Sequence, residues 1–126
     1  VKIKRDKLDS AFSDYIRARD GWRCRRCKAP HRPENGIQCA HIFTRANKGI
    51  RVDEDNALAL CKACHCYFTF RKEEWTAWCE KTLGKAFMDR LRVKYYGRGR
   101  KLVDSEKELL RQDFIKRTKA LNERVL

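Results

Sequence analysis

From Asp6 onward, apolar side chains return at Leu8, Phe12, Tyr15 and Ile16, and Gly21 follows, a spacing that predicts an amphipathic helix over residues 6 to 19. Pro30, Pro33 and the pair Asn35-Gly36 then mark turns. Ile37 to Phe43 and Ala57 to Leu60 are apolar runs of strand length. The polar loop between them holds Arg45, Asn47, Lys48, Gly49 and the acidic cluster Asp53-Glu54-Asp55. The order predicts two antiparallel strands with an excursion between them. A helix is expected to begin around Cys61 to Cys64 and to carry Tyr67 and Phe68. Another, from about Glu73, should bury Trp75, Trp78 and Leu83 and stop at Gly84. Residues 85 to 96 continue helically through Phe87, Met88, Leu91 and Tyr95. A last helix opens on Ser105-Glu106-Lys107-Glu108, which reads as a capping box, and sets Leu110, Phe114, Leu121 and Val125 on one face.

The 126 residues fit one α+β domain, divided into a basic N-terminal helix (1–22), a central strand-and-cysteine unit (23–84) and a basic helical region (85–126). With 42% hydrophobic and 38% charged residues the core is thin for its surface and calls for reinforcement. No run approaches the roughly 18 apolar residues of a membrane span, and Val1-Lys2-Ile3-Lys4-Arg5 leads into charge rather than an apolar leader. A cytoplasmic protein without a membrane partner is the expectation. The net charge of +14 points to a polyanion, nucleic acid before anionic lipid. The densest basic run, Arg90 to Lys101, has six basic and no acidic residues. Its Arg92, Lys94, Arg98, Arg100 and Lys101 are candidate phosphate contacts, as are Arg45 and Lys48 in the loop. A solvated helix end is the competing reading of that run.

Cys24-Arg25-Arg26-Cys27 and Cys61-Lys62-Ala63-Cys64 are two C-x-x-C pairs, which together offer four thiolates to one structural Zn2+. Both expected strands lie between the pairs, so the ion would staple the base of the hairpin. Three other uses compete. Disulfides fit poorly with seven cysteines, and no βαβ pattern surrounds either pair to suggest a redox dithiol. Cys61-Lys62-Ala63-Cys64-His65 also spells the haem-attachment string, which would leave Cys24 and Cys27 without a role. Cys39, Cys66 and Cys79 read as small buried hydrophobes.

The three histidines are His31, His41 and His65. His31, between two prolines, reads as a solvent-facing turn residue. His41 falls on the first expected strand, Asn56 opens the second, and His65 follows the second cysteine pair. This segment resembles the ββα-metal motif of HNH (His-Me finger) nucleases, whose letters match His41, Asn56 and His65. The stretch Tyr15-Ile16-Arg17-Ala18-Arg19-Asp20, the Cys24/Cys27 pair, Ala40-His41 with Thr44-Arg45, Asp53-Glu54-Asp55-Asn56 and the Cys61/Cys64 pair are similar to the lambdoid phage NinG/Rap recombination endonucleases, over roughly residues 10 to 70.

The resemblance implies a metal-dependent DNA endonuclease of phage or prophage origin, acting on branched or recombining duplexes and leaving 5′-phosphate and 3′-hydroxyl ends. His41 would take a proton from the attacking water, the Asn56 carbonyl oxygen would hold its imidazole, His65 would bind one Mg2+ or Mn2+, and Arg45 would grip a phosphate oxygen. Ala40 stands where many HNH enzymes have an Asp or His ligand, and Thr69 where colicin-type enzymes have a His. A second ligand would come from elsewhere, with Asp53 and Asp55 as candidates; turn capping is their plainer role. The rival function is a zinc-stabilised nucleic-acid-binding module without catalysis. A homodimer is compatible with the apolar face of the last helix, as is simple core packing.

Overall fold

The computed structural model describes residues 5–30, 36–44, 50–97 and 99–124. Helix α1 (Lys7–Arg19) starts where the periodicity places it, with Asp6 as its cap: Asp9 N–H donates to the Asp6 carboxylate and Asp6 N–H to the Asp9 carboxylate. Strands β1 (Ile37–His41) and β2 (Ala57–Cys61) pair antiparallel, with Ile37 opposite Cys61 and His41 opposite Ala57. Strand β1 stops at His41, short of the expected Phe43, because the Phe43 main chain turns aside to bond the Asn56 side chain. A single 3-10 turn (Glu54–Asn56), capped by Asp53, leads into β2.

Helices α2 (Lys62–Thr69), α3 (Lys72–Leu83), α4 (Lys85–Tyr96) and α5 (Asp104–Arg124) follow in the expected order. Gly84, at φ 93, separates α3 from α4 in a conformation that a side chain would strain. One expectation is corrected at α5. Ser105 lies inside the helix, and Glu106 reaches back to the Val103 N–H at 3.2 Å, so the cap sits two residues earlier than the Ser-x-x-Glu string suggests. The last turn that would hold Val125 lies outside the described residues.

Two apolar clusters flank the hairpin. One gathers Ile37, Ala40, Leu58 and Leu60 with Phe68, Trp75, Cys79 and Met88 from α2, α3 and α4. Trp78 and Leu83 are only partly buried at its margin. The other joins Leu8, Phe12, Tyr15 and Ile16 of α1 to Phe114 of α5, with Leu110 and Leu121 at its edge. The apolar face of α5 is therefore covered by α1 within the chain. Arg19 and Asp20 fasten α1 to β2: Arg19 donates to the carbonyls of Glu54 (2.6 Å) and Ala57 (2.8 Å), and Asp20 accepts from Ala59 N–H at 2.8 Å. The result is a small α+β domain whose helices enclose a two-stranded ribbon. No described helix is long and apolar enough to cross a membrane.

Candidate metal centre and histidine cleft

The two cysteine pairs converge at the Ile37/Cys61 end of the ribbon. Four Sγ atoms, of Cys24, Cys27, Cys61 and Cys64, lie within 4.8 Å of one another, and the Cys27 and Cys61 sulfurs are 3.9 Å apart. Tetrahedral Zn–S bonds of about 2.3 Å put sulfurs about 3.8 Å apart, so the cluster has the dimensions of a four-thiolate site. All seven cysteines are unbridged. Local geometry sets each pair: Lys28 takes φ 64 just after Cys27 and donates its N–H to the Cys24 carbonyl, while Cys61 caps α2 by accepting from Cys64 N–H.

Burial opposes ionisation of Cys24, but N–H donors around it outweigh burial and bring it down to about 7. Burial pushes Cys64 up to about 12, helped by the neighbouring sulfurs Cys61 and Cys24 and opposed by the Arg26 guanidinium 3.6 Å from it. Such crowded thiols cannot all ionise without a shared cation, which is what a structural ion supplies. Cys61 and Cys64 are thus directed toward Cys24 and Cys27 rather than standing apart as a haem-attachment pair.

At the other end of the ribbon a cleft of about 470 Å³ opens between α1 and the α2–α3 corner. His41 and His65 both line it, with Asp9, Phe12 and Cys39 along the wall and Arg5 and Lys72 at the rim. The His41 Nε2 lies 3.0 Å from the Arg51 carbonyl, which can only accept, so this nitrogen carries the proton and the neutral ring has its lone pair on Nδ1. His65 Nδ1 lies 2.7 Å from Gln38 Oε1, which leaves the His65 lone pair on Nε2. Burial holds the His65 pKa below the ordinary histidine value, favouring the neutral ring that a metal needs. Burial also pushes the Cys39 thiol up to about 12, so the sulfur beside His41 stays protonated.

Asn56 acts differently from the sequence expectation. Its side chain is fully buried and its oxygen accepts from Phe43 N–H at 2.8 Å, while its NH2 donates to the carbonyls of Phe43 (2.9 Å) and Ile50 (3.1 Å). The amide therefore closes the loop that delivers Arg51, and it is the Arg51 carbonyl that meets the imidazole. Ala40 is buried in the hairpin core, and Thr69 bonds back to the His65 carbonyl at 2.7 Å. Asp53 caps the 3-10 turn and pairs with Lys94 at 2.9 Å; Asp55 lies 3.6 Å from the same amine. Neither lines the histidine cleft. Among the described residues, the four cysteines form the one group of three or more metal-competent side chains.

The basic candidates divide. Arg45, Lys48, Arg98 and His31 lie outside the described residues. Arg92 pairs with Glu80 and Asp89, Lys94 with Asp53 and Asp55, and Arg100 with Glu106, whereas Lys101 is exposed. Arg5 and Lys72 were not picked out by the run of charge, yet both stand exposed at the cleft mouth and make no ion pair among the described residues. Asp9, Arg51 and Gln38 were equally hidden. The Asp6/Asp9 capping pattern marks a helix start in sequence, but nothing there announces that Asp9 turns its carboxylate toward Arg51.

No family model and no solved structure matches the chain. It is similar to the proline–tRNA ligase of Leptospira borgpetersenii serovar Hardjo-bovis in two strains, at 38% identity over 61 residues. That stretch is 44% of this chain, and the chain spans only 11% of the ligase.

Proposed function

We propose that the chain is a metal-dependent DNA endonuclease of the HNH type, with β1, β2 and α2 as its ββα-metal element. The observation that carries this reading is the shared cleft. His41 and His65, 24 positions apart in the sequence, line one cleft, and the hydrogen bonds at His41 Nε2 and His65 Nδ1 assign the lone pairs of the neutral rings to Nδ1 and Nε2 respectively. His41 takes a proton from a water as its oxygen bonds to phosphorus. The bond from phosphorus to the 3′ oxygen breaks, and the departing oxygen takes a proton from solvent, leaving 5′-phosphate and 3′-hydroxyl ends. His65 would hold Mg2+ or Mn2+ through Nε2; when bound, the ion stabilises charge on the phosphate and the departing oxygen. Arg5 and Lys72 at the rim are suited to the phosphates on either side, and the sequence candidates Arg45, Lys48 and Lys101 remain part of this reading. The four-cysteine Zn2+ site keeps the ribbon in shape without entering the chemistry. Branched or recombination-intermediate DNA as substrate, action as a homodimer, and a cytoplasmic, prophage setting belong to this reading through the family resemblance.

The second reading is a zinc-stabilised nucleic-acid-binding module without catalysis. Its support is specific: His65 belongs to no group of three or more metal-competent side chains among the described residues, with Ala40 in the core and Thr69 bonded back to its own helix. The likeness to a proline–tRNA ligase does not carry an aminoacylation reading, because it touches a small fraction of that enzyme.

The deciding experiment sets the parent beside His41→Ala on supercoiled plasmid, with Mg2+ or Mn2+, at protein concentrations that saturate binding. Nicking by the parent alone supports the enzyme; intact plasmid with both leaves the binding module. A four-way junction beside a matched linear duplex then tests the substrate, since equal cutting of the two removes the preference for branched DNA.

A further inference from the structure

Asp9 is a buried carboxylate on α1, and both of its oxygens are engaged. One accepts from Arg51 Nε at 2.8 Å; the other accepts from Arg51 Nη2 and from Asp6 N–H. This is the fork-to-fork geometry that fixes a guanidinium in direction as well as in place. The carbonyl of the same Arg51 holds His41 Nε2. One helical turn along α1, Phe12 packs against the His41 ring, with ring centres 5.8 Å apart. Helix α1 therefore reaches the imidazole twice, at its face through Phe12 and at its edge through Asp9 and Arg51. A free loop carbonyl could drift by an ångström, and an error of that size at a proton acceptor is costly. Asp9 also lines the cleft.

We infer that Asp9 and Arg51 are positioning residues for His41: their ion pair fixes the Arg51 carbonyl, and that carbonyl keeps the imidazole proton on Nε2. The inference deepens the nuclease reading and rests on it for its functional consequence, though its structural half can be measured without DNA. An anchoring role alone predicts less. It would lower stability when the pair is broken but leave the imidazole proton and the chemical step as they were.

The test uses the full chain, loaded with zinc and labelled with 15N-histidine, as the parent and as Asp9→Asn, Arg51→Lys and Arg117→Gln. The last variant removes another ion pair near α1, that of Arg117 with Glu54, which touches neither Arg51 nor His41. In the parent, the His41 Nε2–H proton should exchange slowly with water. In Asp9→Asn and Arg51→Lys it should exchange as fast as a free imidazole, and plasmid nicking should slow about 10- to 100-fold, the range found for lost orienting partners. DNA affinity should stay within about twofold of the parent. Arg117→Gln should lose stability while keeping both the slow proton and the nicking rate.

A parent proton that exchanges freely overturns the inference with no variant needed. So does a proton that stays slow in folded Asp9→Asn and Arg51→Lys, and parent nicking in that case leaves the nuclease reading standing. If the proton is freed in both variants while the parent fails to nick, the positioning role stands and the nuclease reading falls.

Discussion

The two ends of the β-ribbon, some 13 Å apart at about 3.3 Å per residue, are held by different physics. At the Cys61 end four sulfurs crowd together, and their charge is tolerable only around a cation. At the His41 end no comparable cluster exists among the described residues; an amide, an ion pair and an aromatic ring share the task. A metal staple is strong, closed and blind to substrate. A hydrogen-bonded frame is weaker, but it can leave an imidazole in a fixed tautomer facing an open cleft. Separating the two lets a thin core be stabilised without filling the histidine cleft.

The sharpest way to break the comparison is to remove the cation. Chelation, or Cys61→Ser, should withdraw on the order of 10 kcal/mol of coupled folding energy and abolish the cooperative thermal transition. Amide exchange should rise first in β2, α2 and α3, later in α1. Uniform exchange with an unchanged melting curve would mean that the sulfurs hold nothing.

Next in size is Asn56→Ala. It leaves the Phe43 N–H and the Phe43 and Ile50 carbonyls without their partner and should cost about 3 kcal/mol in a urea titration. Nicking should disappear while zinc stays bound, because the damage lies at the imidazole end. Loss of zinc in this variant would show that the two ends are not independent.

The ion pair at Asp9 gives a smaller, pH-dependent effect. Burial alone would raise its pKa, but the hydrogen bonds from Arg51 and the Asp6 N–H, together with the Arg51 charge, outweigh it and take it from 3.8 to about 2. A folded pKa below the unfolded one adds stability that is complete above pH 3.8 and fades as pH falls toward 2. The shift corresponds to about 2 kcal/mol. Asp9→Asn should therefore be less stable than the parent by that amount at pH 7, and the gap should narrow only below pH 3.8. A gap that closes near pH 6 would assign the effect to another group.

The smallest effect belongs to the sulfur end. Lys28 sits at φ 64, where a side chain is strained, and Lys28→Gly should raise stability by about 1 kcal/mol with zinc content unchanged. Calorimetry would detect this as a rise of a few degrees in the melting temperature.

The sequence was informative wherever the physics is local. Spacing placed α1 and the ribbon within a residue or two, and two C-x-x-C strings placed the four-sulfur cluster, since a short loop leaves little freedom to two thiols. The meeting of His41 and His65 in one cleft follows from strand and helix order. What stayed hidden depends on closure of the chain over long separations. Asp9 meets Arg51 across 42 positions, and Arg51 presents its carbonyl, an atom that every residue has. Asn56 pointed to the right loop but to the wrong partner, because an amide satisfies whichever backbone groups are buried beside it. The basic run misled in a similar way: composition counts Arg92, Lys94 and Arg100 as surplus charge, yet each has an acidic neighbour in the fold.

The contacts of α5 set an order of assembly during synthesis. Arg117 bonds Glu54 at 2.9 Å and the Tyr15 hydroxyl at 2.8 Å, and Phe114 wedges against Phe12. Those partners emerge from the ribosome long before residues 114 and 117 do. A nascent chain can close its cysteine cluster early, but Phe12, the ring against which His41 rests, gains its backing only as translation of this stretch ends. A chain built in this way would complete the support of its His41 end later than that of its four-sulfur end.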